Sequence, residues 1–212
     1  LTSLGQSSAI TVNGNSDATV ELRGEHWSYD GSVAGSSVYR DASGHTVAVS
    51  EAMKVELHGG DNGENLTGGL ESTHIYGGAG NDTLDGGAGG FNYLSGGAGN
   101  DTFILRDRSG DGIITASEYA GLHGGSGTDT LSVSTANAIL DLSGLGAGQI
   151  TGMEAINLGG ANNRLILDQA SLTSLGHSAA IAVSGDTNDA VELRGEHWSY
   201  DGSVAGSSVY HD

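Results

Sequence analysis

The sequence predicts an all-β fold in which a narrow parallel β-roll continues into a wider right-handed β-solenoid, interrupted by one loop insertion. Three patterns lead to this prediction. Glycine pairs recur every nine or ten residues, a single large apolar residue follows each pair at a fixed distance, and a period near 25 residues then takes over. Such regular periods are typical of stacked coils in which each repeat packs only against its neighbours.

The glycine pairs begin at residues 59–60 and recur at positions 68, 77, 86 and 96. Glycine permits the tight turn and leaves room for backbone carbonyl groups to converge. The large apolar residue that follows each turn is expected to point inward from a very short strand. The predicted interior residues are Leu66, Ile75, Leu84, Leu94 and Phe103.

The sixth position of the blocks differs between alternate turns. It is Glu64, Asp82 and Asp101 in one set, and Thr73 followed by a gap near Asn92 in the other. Two blocks complete one coil, so turns of the same parity stack along the same edge. Because carboxylate oxygens are hard ligands that suit calcium, we expect one edge to bind calcium well and the opposite edge poorly.

The blocks at residues 77–85 and 96–104 read GGAGNDTLD and GGAGNDTFI, and GGSGTDTLS at residues 124–132 is a further copy. This pattern, G-G-x-G-x-D-x-U-x with U a large apolar residue, resembles that of the RTX calcium-binding β-roll family. The resemblance implies several Ca²⁺ ions bound between stacked turns, export by type I secretion as an unfolded chain, and folding outside the cell. The candidate ligands in the roll, through side chains or carbonyl oxygens, are Gly59, Asp61, Glu64, Gly77, Ala79, Asp82, Asp85, Gly96, Ala98, Asp101, Gly124, Ser126 and Asp129.

Residues 107–118, DRSGDGIITASE, match the twelve-residue loop of an EF-hand. A strand is expected at residues 102–105, so this loop would lack the paired-helix frame. An ordinary Asp/Gly turn is the alternative interpretation. The candidate calcium ligands are the side chains of Asp107, Ser109, Asp111 and Glu118, the carbonyl of Ile113, and Thr115 directly or through a water.

After the last glycine block, pairs of apolar residues recur with a longer period. One set is spaced by 25 residues, and a second set is spaced by 25 and then 26. Two inward-facing strands per coil of a wider solenoid would give this pattern. The pairs are Leu131/Val133, Ile156/Leu158 and Ile181/Val183 in the first set, and Leu140/Leu142, Leu165/Leu167 and Val191/Leu193 in the second.

The two ends of the chain repeat each other. Residues 1–41 return as residues 172–212, and residues 20–39 are identical to residues 191–210. This tandem duplication predicts the closing segment of one repeat unit followed by a complete second unit. The expected segments are 1–41 (closing segment), 42–58 (β-hairpin and entry strands), 59–105 (roll), 106–123 (EF-hand-like insertion), 124–133 (further nonapeptide) and 134–212 (solenoid coils and aromatic cap).

Composition limits the function classes. A formal net charge of −19 with only seven Lys and Arg residues argues against nucleic acid and anionic membrane surfaces as partners. The absence of cysteine excludes a disulfide framework. No segment is long and apolar enough to cross a bilayer, and no nucleophile or phosphate-binding motif is present. We therefore expect a protein without enzymatic activity of its own.

These patterns favour a calcium-binding structural repeat of a large extracellular protein of the adhesin or surface type, with neighbouring repeat units as partners. One alternative is the C-terminal calcium module of a secreted epimerase or protease that lies outside this chain. Another is a glycan-binding module in which Trp27 and Trp198 stack on sugars, although a lid over the end of the β-core is the favoured role of both. The acids of residues 185–191 are interpreted as a solvated turn, and the eight histidines as exposed polar residues.

Overall fold

A computed structural model describes residues 9–24, 27–50, 53–160, 162–175, 181–195, 198–204 and 207–211. Short β-strands make up most of its regular structure, and among the described residues the helical elements are α1 (Gln169–Leu175) and a single 3₁₀ turn (Ala116–Glu118). None of the helices in these ranges is long and apolar enough to cross a membrane. The strands in chain order are β1 (Ala9–Val12), β2 (Thr19–Arg23), β3 (Ser28–Val33), β4 (Ser36–Arg40), β5 (Thr46–Ser50), β6 (Lys54–His58), β7 (Asn65–Thr67), β8 (Thr73–Ala79), β9 (Thr83–Asp85), β10 (Asn92–Ala98), β11 (Thr102–Leu105), β12 (Ile113–Thr115), β13 (Tyr119–Ser126), β14 (Thr130–Val133), β15 (Ile139–Asp141), β16 (Ile150–Thr151), β17 (Ala155–Asn157), β18 (Arg164–Leu167), β19 (Ala182–Ser184), β20 (Ala190–Leu193), β21 (Ser199–Val204) and β22 (Ser207–His211).

Parallel pairing stacks most strands into continuous faces. Face 1 contains β2, β6, β8, β10, β13 and β16 in spatial order, and face 2 contains β7, β9, β11, β14, β17 and β19. The chain alternates between these faces, so each coil of the roll places one strand on each, which confirms the predicted parallel β-roll. In-register pairing aligns the apolar residues into columns along the interior. The five predicted interior residues, Leu66, Ile75, Leu84, Leu94 and Phe103, are all 0% exposed.

The coil widens after residue 105 because a third face appears. Face 3 contains β12, β15, β18 and β20. Leu165 pairs with Leu140 on one side and Val191 on the other, as the 25- and 26-residue spacings predict. On face 2, however, Ile156 pairs with Val183 rather than with Ile181, so the predicted register is wrong there by two residues.

Two features of the wider coils differ from the two-strand prediction. The short strand β16 continues face 1 below β13, which gives a third strand per coil. After β18 the chain forms α1, a helix that the apolar pairs did not predict. Asp168 accepts hydrogen bonds from the backbone N–H and the hydroxyl of Ser171 (2.7 and 2.6 Å), and so caps the helix. Leu172 and Leu175 are three residues apart and both pack on the core, which fixes the helix against the solenoid.

An antiparallel sheet covers the first coil of the roll. It consists of β3, β4 and β5, with β1 added in parallel. The Gly44 N–H donates to Asp41 O (3.0 Å) in the turn between β4 and β5, where the sequence predicted a hairpin. Trp27 is 8% exposed and belongs to the core, in agreement with the predicted lid. Trp198 is half-buried, and residues 1–8 of the duplicated segment lie outside the described residues.

A candidate calcium edge along the roll

The turns that lead from face 1 to face 2 form one edge of the roll, which we call the acidic edge. It comprises residues 59–64, 77–82, 96–101 and 124–129, and it brings together most of the predicted ligand positions. Ala98 pairs in register with Ala79 on one side and with Ser126 on the other. Equivalent positions of successive turns therefore stack directly above one another. Asp61 lies exposed in the first turn of this stack.

The acidic side chains of the edge form a ladder. Glu64 donates its backbone N–H to Asp82 Oδ1, and Asp82 donates its own to Asp101 Oδ1, both at 2.8 Å. The Asp101 N–H continues the ladder to Asp129 Oδ1, also at 2.8 Å. In each aspartate, one carboxylate oxygen is thus fixed by the turn before it, which locks the side chain in place.

The other oxygen of each carboxylate is buried and unpaired. Within the described residues, Glu64 Oε1 and the Oδ2 atoms of Asp82, Asp101 and Asp129 have no hydrogen-bond partner. An unpaired charged oxygen in the interior is costly unless a cation compensates it. Four such atoms in a row on one edge therefore indicate a cation-binding function.

Backbone carbonyls face the same places as these free oxygens. A methyl group built on Gly77 would overlap both Asp82 Oδ2 and Gly96 O, and one on Gly96 would overlap both Asp101 Oδ2 and Gly124 O. The acidic edge thus offers carboxylate and carbonyl oxygens side by side, which is the donor set that Ca²⁺ prefers. No group of three or more acidic or histidine side chains in the described part of the chain could hold a metal alone. The carbonyls are therefore a necessary part of each site.

Burial and mutual repulsion disfavour the charged form of these acids. Burial raises the pKa of Asp82 to about 6, and the nearby charges of Asp101 and Glu64 add to the increase. The pKa of Asp129 is also raised to about 6, by burial and then by the charges of Asp101 and Glu154. Burial raises the pKa of Asp101 as well. When these acids are ionised at neutral pH, a bound cation would offset their mutual repulsion and their burial.

A family model for the RTX calcium-binding nonapeptide repeat, in four copies, matches residues 58–90 and 89–106. Residues 58–106 of the roll are therefore RTX calcium-binding nonapeptide repeats. Such repeats bind Ca²⁺, several ions along one stretch, and proteins that carry them are typically secreted. The match covers the first part of the roll, less than a quarter of the chain. Searches among curated proteins and among solved structures gave no match.

The acidic ladder of the RTX roll extends further than the sequence analysis indicated. The Asp129 N–H donates to Glu154 Oε2 (2.5 Å), so a fifth acid joins the stack in the wider coils. Glu154 lies 25 residues after Asp129, the same period as the apolar pairs. That shared period is the signal that could have identified it.

The opposite edge of the RTX roll is closed by an amide in place of a metal. We call it the amide edge, residues 68–73 and 86–92. Asn92 Oδ1 accepts the Thr73 N–H (2.7 Å), and Asn92 Nδ2 donates to Gly86 O (2.6 Å) and Gly89 O (2.8 Å). These turn carbonyls therefore already have a donor. This gives a physical reason for the predicted weakness of calcium binding on this edge.

Arginine side chains occupy the end of the amide edge. Arg106 Nε lies 3.0 Å from Asp85 Oδ2, so Asp85, a predicted ligand, lies apart from the acidic edge and is already neutralised. Arg108 Nη1 donates to Gly89 O (2.7 Å), and its guanidinium carbon lies 4.4 Å from the centre of the Tyr119 ring. The chain itself thus supplies the cations here.

The EF-hand-like loop is held by its own backbone amides. Asp107 Oδ2 accepts the Gly112 N–H (2.8 Å) and Oδ1 accepts the Gly110 N–H (2.7 Å), and these donors, the Gly112 N–H foremost, lower the pKa of Asp107. Glu118 Oε1 accepts the Thr115 N–H (3.2 Å). The side chains of Asp107, Asp111 and Glu118 do not form one cluster. Calcium binding at Ser109, Ile113 and the other loop positions therefore stays a prediction.

Three histidines belong to an aromatic row that the sequence analysis missed. Tyr93 contacts His74, Tyr76 and His123, with ring centroids 5.6, 5.8 and 5.1 Å apart, and His58 stacks on Tyr76 at 4.8 Å. The row runs along the outside of face 1, because these residues alternate with the buried apolar column. It is half-buried, and the expectation of simply exposed histidines is wrong for these positions.

The acids of residues 185–191 close a turn. Asp189 Oδ1 accepts the Asn163 N–H and Oδ2 accepts the Asp186 N–H, both at 2.7 Å. Both oxygens of Asp189 thus have backbone donors, unlike the free oxygens of the acidic edge. This arrangement favours the turn over a further calcium site.

Proposed function

We propose that this chain is a calcium-rigidified structural repeat of a large extracellular RTX protein, in which it acts as an extender or presenter in adhesion or surface assembly. The observation that carries the proposal is the row of four buried carboxylate oxygens without partners among the described residues. In a chain of net charge −19 these acids oppose folding. Calcium that binds only the folded state supplies the missing stability.

The acidic edge provides the residues that would hold the ions. Asp82, Asp101 and Asp129 contribute their free oxygens, and carbonyls of the stacked glycine turns contribute the remainder. When bound, Ca²⁺ supplies positive charge to these oxygens and cross-links neighbouring coils. Calcium sites of extracellular modules, as known for EF-hand loops, have dissociation constants of about 10⁻⁴–10⁻³ M, and we expect the acidic edge to bind in the same range. The chain would therefore stay unfolded during type I secretion and fold outside the cell.

The tandem duplication supports an array and therefore an extender. A module that serves one enzyme needs few copies, whereas an extender gains length with every added unit. Trp27 is buried in the core, so this residue is not available to stack on a glycan. The presenter role then depends on the length and stiffness of the array.

A calcium titration monitored by far-UV circular dichroism, after complete chelation, tests the proposal. We expect a cooperative transition from coil to β-structure near millimolar calcium. Asp82→Asn keeps the Oδ1 acceptor of the ladder but removes the charge, so it should move the midpoint to higher calcium. Asp17→Asn, at an exposed position, makes the same change in net charge and should not. A complete β spectrum in chelator would overturn the calcium-coupled role.

A further inference from the structure

The duplicated segment has different neighbours in its two copies. In the first copy, β1 and β2 pair with β5 and β6. In the second copy, the corresponding strands β19 and β20 pair with β17 and β18. Residues 20–39 and 191–210 are identical, so the sequence shared by β2 and β20 pairs in two ways.

In the second copy, β20 uses one of its edges to bind β18. Its Ala190 N–H donates to Asn163 O (2.9 Å), and the Arg194 N–H donates to Leu167 O (2.7 Å). Peptide groups alternate in direction along a strand. The N–H and C=O groups of residues 189, 191 and 193 therefore lie on the other edge of β20.

In the first copy, β2 uses that other edge. Lys54 N–H donates to Ala18 O (3.0 Å), and Ala18 corresponds to residue 189 of the second copy. Val20 and Leu22 have the same parity and correspond to residues 191 and 193. The two pairings are thus compatible with each other, since one strand can bind β18 on one edge and β6 on the other.

Among the described residues, no strand pairs with the other edge of β19 and β20, which we call the free edge. The apolar side chains there show the same asymmetry. Val183 is 36% exposed and Val191 is 48% exposed. Their counterparts in the first copy, Val12 and Val20, are partly buried and pack against the core. In the first copy, the coil that contains β5 and β6 covers these positions.

We propose that the free edge of β19 and β20 is an interface for the β5–β6 segment of a further copy of this repeat, so that successive units form one unbroken solenoid. Face 3 of one unit then continues as face 1 of the next. Face 2 continues as the sheet of β5, β4 and β3. The inference deepens the extender role proposed above and rests on it for its biological use, because a joint without a linker transmits stiffness between units.

Amide hydrogen exchange measured by NMR tests this joint on the full chain and on the same chain extended by a second copy of residues 42–212. In the full chain, the amides of Val20 and Leu22 are expected to exchange slowly, and the identical Val191 and Leu193 amides to exchange fast. The extension should slow the latter pair by about 100-fold or more, towards the rates of the former. The first copy thus serves as an internal control for folding.

A variant pair in the appended copy locates the contact. Lys54→Pro there removes the N–H that corresponds to the donor of Ala18 O, and should abolish the new protection of Val191 and Leu193. Lys54→Ala retains that N–H and should leave the protection intact. Fast exchange at both residues in a folded extended chain would overturn the inference, as would protection that survives Lys54→Pro.

The two proposals fail in different ways. A folded extended chain with an unprotected joint and an unchanged calcium transition would overturn the interface and leave the calcium-dependent role standing. A β spectrum that is complete in chelator would overturn the calcium-dependent role, and the exchange rates at the joint would still report on the interface.

Discussion

At the scale of single residues, the two oxygens of each ladder aspartate have separate tasks. In Asp101, Oδ1 accepts the N–H of Asp82, and Oδ2 is buried with no hydrogen-bond partner in the described part of the chain. The first oxygen positions the side chain, and the second is the one proposed above to contact a cation. Substitutions that keep the first oxygen and remove the charge of the second can therefore separate an effect on the fold from an effect on metal binding.

Asp101→Asn is such a substitution at the centre of the ladder. It keeps an oxygen for the Asp82 N–H and replaces the free charged oxygen with an amide group. We expect the calcium midpoint of folding to rise about tenfold, equivalent to about 1.4 kcal/mol, because a charged ligand between two turns is lost. Isothermal titration calorimetry should show fewer or weaker sites. An unchanged midpoint would contradict the role of the acidic edge.

Asn92 allows the opposite substitution, from an amide to a carboxylate, on the amide edge. Asn92→Asp keeps the acceptor of the Thr73 N–H but places a charge opposite Gly86 O and Gly89 O, where Nδ2 now donates. We expect a loss of about 3 kcal/mol in subsaturating calcium that high calcium partly restores. Asn92→Ala should lose about 2 kcal/mol at every calcium concentration. Urea denaturation at two calcium concentrations distinguishes the variants, and equal calcium responses would refute the comparison.

The acidic ligands could be read from the sequence, whereas the role of Asn92 could not. Glu64, Asp82 and Asp101 recur at the same block position, so spacing alone places them on one edge. The Asn92 block is one residue longer, and its amide replaces a cation only because two turn carbonyls lie within its reach. That convergence depends on the path of the backbone through positive-φ residues such as Phe91, which spacing does not specify.

At the scale of elements, a buried carboxylate joins the covering sheet to the roll. Glu71, 2% exposed, accepts hydrogen bonds from the Ser37 and Tyr39 hydroxyls of β4. Burial, followed by the charge of Glu71, raises the pKa of Tyr39, so its hydroxyl stays protonated as a donor. The antiparallel sheet is thereby fixed on the amide edge.

Tyr39→Phe removes one of these two donors without changing the packing of the ring. The variant should be destabilised by about 1–3 kcal/mol, because a buried charged acceptor loses a partner. Thermal unfolding in saturating calcium measures the effect. Tyr29→Phe, in the neighbouring strand, is the matched control and should have little effect. Equal stability of Tyr39→Phe and the parent would show that Glu71 does not hold the sheet.

The sequence predicted the elements of the roll better than those of the wider coils. The nonapeptide pattern combines a turn signal and an apolar position in every block, so both register and direction follow. In residues 134–175 only apolar pairs remain, and α1 is too short for a helical period to be recognised. The strand β12 pairs with β15, which requires the EF-hand-like loop to lie beside a segment that follows it by some 25 residues.

At the scale of the whole molecule, the raised pKa values of the acidic edge couple folding to protons. Asp82 and Asp129 have pKa values of about 6 in the metal-free folded state, against about 3.9 in an unfolded chain. The folded state therefore binds protons more tightly. Without calcium, its stability should rise as the pH falls from about 7 towards 4.

Calcium reverses this dependence, because its ligands must be deprotonated. We expect acidification from pH 7.5 to 4.5 to increase the β signal in chelator and to weaken the β signal in limiting calcium. Far-UV circular dichroism at both pH values measures this. The double variant Asp82→Asn/Asp129→Asn should lose most of the pH response in chelator. A β signal that falls with acidification in chelator would contradict the assignment of these pKa values.

The two edges of the roll differ in what holds their turns together, so they should respond differently to a loss of calcium. On the amide edge, amide and guanidinium groups of the chain itself hold the turns together. On the acidic edge, the proposed contact between turns depends on bound calcium, and so on the calcium concentration of the surroundings. Partial removal of calcium should therefore loosen the acidic edge more than the amide edge and bend the stack while it is still folded. A long array of such units would report the calcium concentration around it as curvature.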